Sequence, residues 1–257
     1  MVTTEWRFAM TKEPSMRGTG KRFRFAAVLI AASFWPGLAM AASSITGTIT
    51  FDGKAPALRP IAMDAEPVCG KKHSGPVANE MLVLGSGNTM ANLLVYVSKG
   101  LPAGKTYPVP TAPVTLDQNG CLYTPHVMGI MAGQNYRILN SDGILHNIHT
   151  LPKVNASFNR GQPATVKEMT TSFPKAEASF QVKCDVHPWM SAYMMVFTHP
   201  FYSVTGTDGK YTISGLDPGT YEITAWHERL GTQTASVTVS GSDTKTQPFK
   251  FAVAAAK

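Results

Sequence analysis

Turn residues interrupt this chain at short intervals between runs of β-forming residues. Asp52-Gly53 and Asp208-Gly209 each lie beside a run rich in Ile, Thr and aromatic residues. Runs of four to eight such residues bounded by turn residues are typical of strands. No stretch keeps a helical periodicity over three turns. We therefore predict an all-β protein built from β-sandwiches.

The positive charge of the chain is concentrated at its N-terminus. The formal net charge is +7, and residues 1–41 hold six basic and two acidic residues, which account for +4 of it. The rest of the sequence has no basic stripe of the kind that binds nucleic acid. We therefore expect no nucleic-acid partner.

The same N-terminal segment has the pattern of an export signal. Basic residues at 21, 22 and 24 precede an apolar run at 25–35, and Ala39-Met40-Ala41 places small residues at a cleavage site. We predict that residues 1–41 are a signal peptide and that the mature protein is periplasmic. The alternative is an uncleaved anchor, but eleven apolar residues are too few to span a bilayer. We expect no other contact with a membrane.

One short segment concentrates ligands for a transition metal. Cys184, His187 and Met190 lie within seven residues, between strand-like runs at 180–184 and 193–197. His146 opens another strand-like run upstream and offers a second imidazole. Two imidazoles and one thiolate in a trigonal arrangement, with a weak axial Met, form a blue-copper electron-transfer site. The alternative is a buried structural Cys with polar His residues in turns, which requires all four residues to fall at ligand spacing by chance.

These two segments make residues 107–199 resemble a cupredoxin. The Cys-x2-His-x2-Met loop, with Pro after the His, is similar to that of the amicyanin and plastocyanin-like members. The resemblance implies a Greek-key β-sandwich holding one type 1 copper, with His146, Cys184 and His187 in the trigonal plane and Met190 axial. It further implies that Asn147 tethers the ligand loop.

The resemblance also implies a function, which is one-electron transfer between Cu(II) and Cu(I) without enzymatic activity. The implied partners are a dehydrogenase as donor and a cytochrome c as acceptor. We expect His187 to expose a ring edge beside an apolar docking patch of Pro188, Trp189, Met128 and Met131, although Trp189 is equally consistent with packing beneath the loop. A copper carrier or sensor, and a structural β-sandwich protein that binds carbohydrate or another partner, remain alternatives.

A second resemblance concerns the two ends of the mature chain. Residues 207–225 resemble part of a carboxypeptidase regulatory-like domain, a small transthyretin-like sandwich, and residues 45–54 resemble its first strand and hairpin. About 150 residues separate the two pieces. We predict that residues 42–106 and 200–257 form this second sandwich. The cupredoxin region is either inserted into it or packed beside it.

The other two cysteines, Cys69 and Cys121, lie upstream of the ligand loop. In an exported protein we expect them to form a disulfide. The alternative is a second metal site, because His126 and His149 lie near Cys121 and His146 in the sequence.

Overall fold

A computed structural model describes residues 42–253, so the predicted signal peptide lies outside the described residues. Within this range helix is limited to one turn, Pro67–Gly70 (α1), and one 3-10 turn, Ser86–Asn88, and the all-β prediction is confirmed. Over the same residues no helix has the length and apolarity needed to cross a membrane. The strands are β1 (Ser43–Asp52), β2 (Leu94–Lys99), β3 (Val114–Asn119), β4 (Leu122–Thr124), β5 (Val127–Met131), β6 (Tyr136–Asn140), β7 (His146–Thr150), β8 (Asn159–Gln162), β9 (Glu168–Thr171), β10 (Glu177–Lys183), β11 (Ser191–Phe197), β12 (Tyr202–Val204), β13 (Lys210–Leu216), β14 (Gly219–His227), β15 (Gly231–Val239), β16 (Thr244–Thr246) and β17 (Phe249–Ala252).

The first and last strands of the described chain form what we call the terminal sandwich. One of its sheets has the order β13-β1-β16, with β17 also paired to β1, and the other has the order β12-β2-β14-β15. Every second residue of β1, including Ile45, Ile49 and Phe51, is buried, because alternate side chains of a strand point to the same face. These residues pack against apolar residues of the opposite sheet, such as Val95 and Ile223.

Strands β3 to β11 form the central sandwich. One sheet has the order β5-β11-β10-β7-β8 and the other has the order β4-β3-β6-β9. Their inner faces share one core, which contains Ile138, Ile148, Phe180 and Val182. Since β2 and β12 pair with each other in the terminal sandwich, the central sandwich is inserted between them.

The two sandwiches are joined by an apolar contact. Leu94 of β2, Val127 of β5, and Met195 and Phe197 of β11 form a third buried cluster, with Trp226 of β14 packed against it. The β5-β11 edge of the central sandwich therefore lies on the outer face of the sheet that contains β2 and β14.

Part of the N-terminal region packs on the central sandwich rather than on the terminal one. Residues 61–77, which we call the covering segment, begin and end at a β-bridge between Ile61 and Val77 and include α1. Met63 and Cys69 in this segment are buried in the core of the central sandwich. Residues 42–106 were predicted to belong to the terminal sandwich, but the covering segment does not, because the two buried side chains and the Cys69–Cys121 bond hold it on the central sandwich.

Candidate metal centre

The hairpin of β10 and β11 positions three of the predicted ligands. The two strands pair up to Lys183 and Ser191, so residues 184–190 form the connecting loop. The loop is closed by the Cys184 N–H donating to the Met190 carbonyl at 3.2 Å and by the Met190 N–H donating to the His187 carbonyl at 2.9 Å. Cys184 continues the buried face of β10, on which Val182 also lies.

The fourth predicted ligand reaches the loop from the neighbouring strand. β7 runs antiparallel to β10, with Lys183 opposite His149 and Val182 opposite Thr150. This register places the start of β7, and hence His146, beside the loop that follows β10. Asn147 strengthens the junction, because its Oδ1 accepts the Asp185 N–H at 2.9 Å while its Nδ2 donates to Asn159. Its amide therefore tethers the ligand loop to β7.

The side chains of His146, Cys184 and His187 converge. One ligand atom from each lies within 4.8 Å of the other two. The Nδ1 atoms of His146 and His187 are 2.9 Å apart, and Cys184 Sγ is 3.7 Å from His187 Nδ1. All three residues are at most 2 % exposed, and Met190 is fully buried in the same core.

These distances fit a shared metal ion with little rearrangement. Bonds of about 2.0 Å to nitrogen and about 2.3 Å to sulfur separate the two ligand atoms by about 3.7 Å at an angle near 120°. The Cys184–His187 separation of 3.7 Å equals this value. The 2.9 Å between the imidazole nitrogens corresponds to an angle near 90°, so the rings must move apart by about half an ångström for a trigonal geometry.

The protonation states of the loop residues also suit a metal. Burial raises the pKa of the Cys184 thiol, but hydrogen bonds from the His146 ring and the His187 and Val186 N–H groups outweigh it and leave the pKa below its ordinary value. Burial and the nearby His146 charge both lower the pKa of His187. A thiolate and a neutral imidazole are the forms that bind metal.

Sequence reasoning missed a carboxylate that contacts His146. Asp142 lies in the turn before β7, its side chain is inaccessible to solvent, and its Oδ2 is 2.8 Å from His146 Nε2. Burial raises the pKa of Asp142, but hydrogen bonds from His146, the Cys121 N–H and Lys72 outweigh burial and lower the pKa to about 2. Burial lowers the pKa of His146, but its contacts with Asp142 and Cys184 outweigh burial, and the net pKa is raised. An acidic residue four positions before a predicted ligand was the available signal.

The predicted exposed edge of His187 is wrong. His187 is 2 % exposed, and Met128 and Met131 are also buried, so they form no surface patch. The Trp189 ring lies 5.2 Å from that of His187, and its Nε1 donates to the Cys121 carbonyl at 3.0 Å, which is packing beneath the loop. The negative charge of Glu66, in the covering segment, opposes the lowering of the His187 pKa.

Cys69 and Cys121 are joined by a disulfide with a Cα–Cα distance of 5.6 Å. The sulfur of Cys121 lies within 4.8 Å of ligand atoms of Asp142 and His146, but in the disulfide it is not a thiolate and does not bind metal. The bond instead anchors the covering segment beside the candidate metal centre.

The structure does not bring His126 and His149 together. His149 Nδ1 lies 2.9 Å from Asp185, whereas His126 Nε2 lies 2.6 Å from Glu228 of the terminal sandwich. Among residues 42–253, neither histidine belongs to a group of three ligand atoms within 4.8 Å. The predicted second metal site is therefore not assembled from these two residues.

His126 instead lies in a polar cluster between the sandwiches. The cluster borders a cavity of about 350 Å³ that is also lined by Tyr193 and Arg229. His126 Nδ1 faces the Ser191 carbonyl at 3.0 Å, which can only accept, so Nδ1 carries a proton. The short contact of Nε2 with Glu228 then needs a second proton. This agrees with the raised pKa of His126, because burial lowers that pKa but the carboxylates of Glu228 and Glu80 raise it by more.

Comparison with known proteins finds short or partial likenesses. A family model described as polysaccharide lyase family 4, domain II, matches residues 198–247, which lie mostly in the terminal sandwich; this is not the carboxypeptidase regulatory-like family named above. None of the curated proteins matches the chain.

Among solved structures, a copper-containing nitrite reductase from Thermus scotoductus SA-01 is 20% identical with a TM-score of 0.29, over 39% of this chain and 25% of that one. Amicyanin from Paracoccus versutus is 20% identical with a TM-score of 0.30, over 40% of this chain and 97% of that one. The chain thus spans about a quarter of the nitrite reductase and nearly all of the amicyanin.

Proposed function

We propose that this protein binds one copper ion as a type 1 centre and transfers single electrons. One observation carries the proposal: the imidazole nitrogens of His146 and His187 and the sulfur of Cys184 converge, buried, at one end of the central sandwich. Met190 would supply the weak fourth ligand. When bound, the copper provides the one-electron Cu(II)/Cu(I) couple.

The donor set favours copper over other metals. Thiolate and thioether sulfurs are soft ligands, and copper(II) binds nitrogen and sulfur sites more strongly than zinc does. Zinc is also bound by Cys and His, but structural zinc sites are tetrahedral and rarely include a thioether. The combination of the Cys184 thiolate, two imidazoles and the Met190 thioether therefore supports copper.

The surroundings of the site favour electron transfer over catalysis. Four side chains around one metal leave no open position for a substrate, so we expect no enzymatic activity. The loop is held by two backbone hydrogen bonds and by the Asn147 amide, which limits movement of the ligands between oxidation states. Burial of all three converging residues excludes water from them.

The proposed location is the periplasm. A disulfide within the described residues is typical of proteins from oxidising compartments. Together with the signal-like pattern of residues 1–41, it supports export of the mature chain.

The proposed partners are a dehydrogenase as electron donor and a cytochrome c as acceptor. Since His187 is covered, we place the docking surface at the apolar residues next to the ligands. Leu145 precedes His146 and is 50 % exposed, and Val186 precedes His187 and is 43 % exposed. A small, weak interface is usual for such encounters.

Copper reconstitution tests the proposal. We expect the copper(II)-loaded protein to be intensely coloured and to bleach reversibly on addition of one electron equivalent. Cys184→Ser should abolish the colour, whereas the matched Cys69→Ser/Cys121→Ser variant should keep it, because those sulfurs are not ligands.

Other results would favour the alternative functions. A colourless protein that binds only copper(I) and releases it quickly to a chelator would indicate a copper carrier or sensor. A protein that retains no copper would indicate a structural role, in which the sandwiches bind carbohydrate or a protein partner.

A further inference from the structure

We propose that Asp142 is a positioning residue that fixes the His146 ring so that its Nδ1 faces the metal. The role rests on the proposed function, because it concerns a ligand of the proposed copper centre. It begins with the contact of 2.8 Å between Asp142 Oδ2 and His146 Nε2. A carboxylate only accepts hydrogen bonds, so the ring holds a proton on Nε2, and the neutral ring that binds a metal has its lone pair on Nδ1.

The position of the lone pair matters because Nδ1 is the atom that points to the other ligands. His146 Nδ1 is 2.9 Å from His187 Nδ1. A ring with its proton on Nδ1 would present N–H to the metal and could not bind it. Partners on the second nitrogen of a metal-binding His set both the tautomer and the orientation of the ring.

Asp142 is itself held firmly. Oδ1 accepts the Gly120 N–H at 2.7 Å and Oδ2 accepts the Cys121 N–H at 2.7 Å. Lys72 Nζ lies 3.1 Å from Oδ1 and donates to the Asp142 backbone carbonyl at the same distance. Each Asp142 oxygen therefore has two donors, so rotation of the carboxylate would break hydrogen bonds.

Lys72 extends this arrangement to the covering segment. It follows α1, three residues after Cys69, and the next residue, His73, contacts the Gly120 carbonyl at 2.7 Å through Nε2. The disulfide and His73 thus attach the covering segment to the two residues, 121 and 120, whose N–H groups hold Asp142, and Lys72 attaches it to Asp142 directly. We infer that the covering segment is the outer support of His146.

The isosteric variant Asp142→Asn makes a specific prediction. An amide has a single oxygen, so if that oxygen keeps the Gly120 N–H, the amide N–H₂ faces His146 Nε2. The ring must then accept at Nε2 and carry its proton on Nδ1, the ligand atom. We expect the tautomer of His146 to change and the copper(II) dissociation constant to rise about 10- to 100-fold, as for other residues that support metal ligands. Loss of the carboxylate also lowers the basicity of the ligand, so the reduction potential should rise.

The test uses ¹⁵N-histidine NMR of the metal-free, full-length protein, recorded above the titration of both rings. The wild-type His146 ring should be the Nε2–H tautomer, and Asp142→Asn should populate Nδ1–H. Lys72→Met should keep the Nε2–H tautomer and weaken copper binding only a few-fold, and Lys71→Met, on the same turn without a contact to Asp142, should match wild type.

A wild-type ring with its proton on Nδ1 would overturn the proposal without the need for any variant, so a poorly folded Asp142→Asn would not leave it open. An Asp142→Asn protein with wild-type tautomer, copper affinity and potential would overturn it as well. The two proposals fail separately: an Nε2–H ring in a protein that gives no blue copper counts against the copper function and not against the orientation of the ring by Asp142.

Discussion

Removal of the Cys69–Cys121 disulfide should cost the central sandwich about 4 kcal/mol of unfolding free energy. The two cysteines are 52 residues apart, and both are fully buried. Closing a loop of this length lowers the entropy of the unfolded chain by an amount worth about 4 kcal/mol at room temperature. The perturbation is Cys69→Ala/Cys121→Ala, which adds no polar group to the core.

The assay is denaturant unfolding followed by tryptophan fluorescence. In residues 42–257 carrying Trp226→Phe, Trp189 is the single tryptophan, and it contacts Cys121 directly. We expect a lower midpoint for the double alanine variant, and the wild-type background treated with dithiothreitol should approach it, whereas dithiothreitol should not affect the variant. A loss below about 1 kcal/mol, or an equal response of the variant to dithiothreitol, would refute the reasoning that the bond restrains the covering segment.

Three further predictions concern other parts of the molecule. The pKa of His126 is raised above its ordinary 6.5, so its contribution to stability is complete below that pH and is lost as the pH rises through the raised value. The unfolding free energy of wild type should therefore fall relative to that of His126→Gln as the pH rises above 6.5, and parallel curves would contradict this. Val186→Lys alters the proposed docking surface and should slow oxidation of the copper(I) protein by cytochrome c about 10-fold, measured by stopped flow. Val109→Lys, at an equally exposed valine, should not slow it, and equal rates for both variants would argue against docking at Val186. Gly47→Ala should cost about 1–3 kcal/mol, because its Cβ would lie 2.0 Å from the Gln247 carbonyl, while Gly75→Ala, with nothing within 4 Å, should be neutral in thermal unfolding.

The sequence predicted the fold class well because its strands alternate buried and exposed residues and are bounded by turns. The β-rich run beside Asp52-Gly53 was predicted as a strand and forms β1, Ser43–Asp52. The short edge strand β9 consists of Glu168, Met169 and two threonines, of which Met169 is partly buried against the core. Edge strands of this kind carry little apolar signal, so periodicity does not find them.

The convergence of His146, Cys184 and His187 was predictable because it depends on spacing along one loop and on one neighbouring strand. Cys184 and His187 are fixed by a short loop, and the register of β7 against β10 brings His146 to them. What covers the site was not predictable, because the covering segment reaches it over long sequence distances. The contact of Lys72 with Asp142 spans 70 residues, and no local pattern near residue 72 specifies its partner.

Copper X-ray absorption of the copper(II)-loaded protein tests the proposed centre most directly. We predict two nitrogen scatterers at about 2.0 Å and one short sulfur scatterer, and the sulfur should disappear in Cys184→Ser. A copper shell of nitrogen and oxygen alone in the wild-type protein would contradict the assignment of His146, Cys184 and His187 as a shared site.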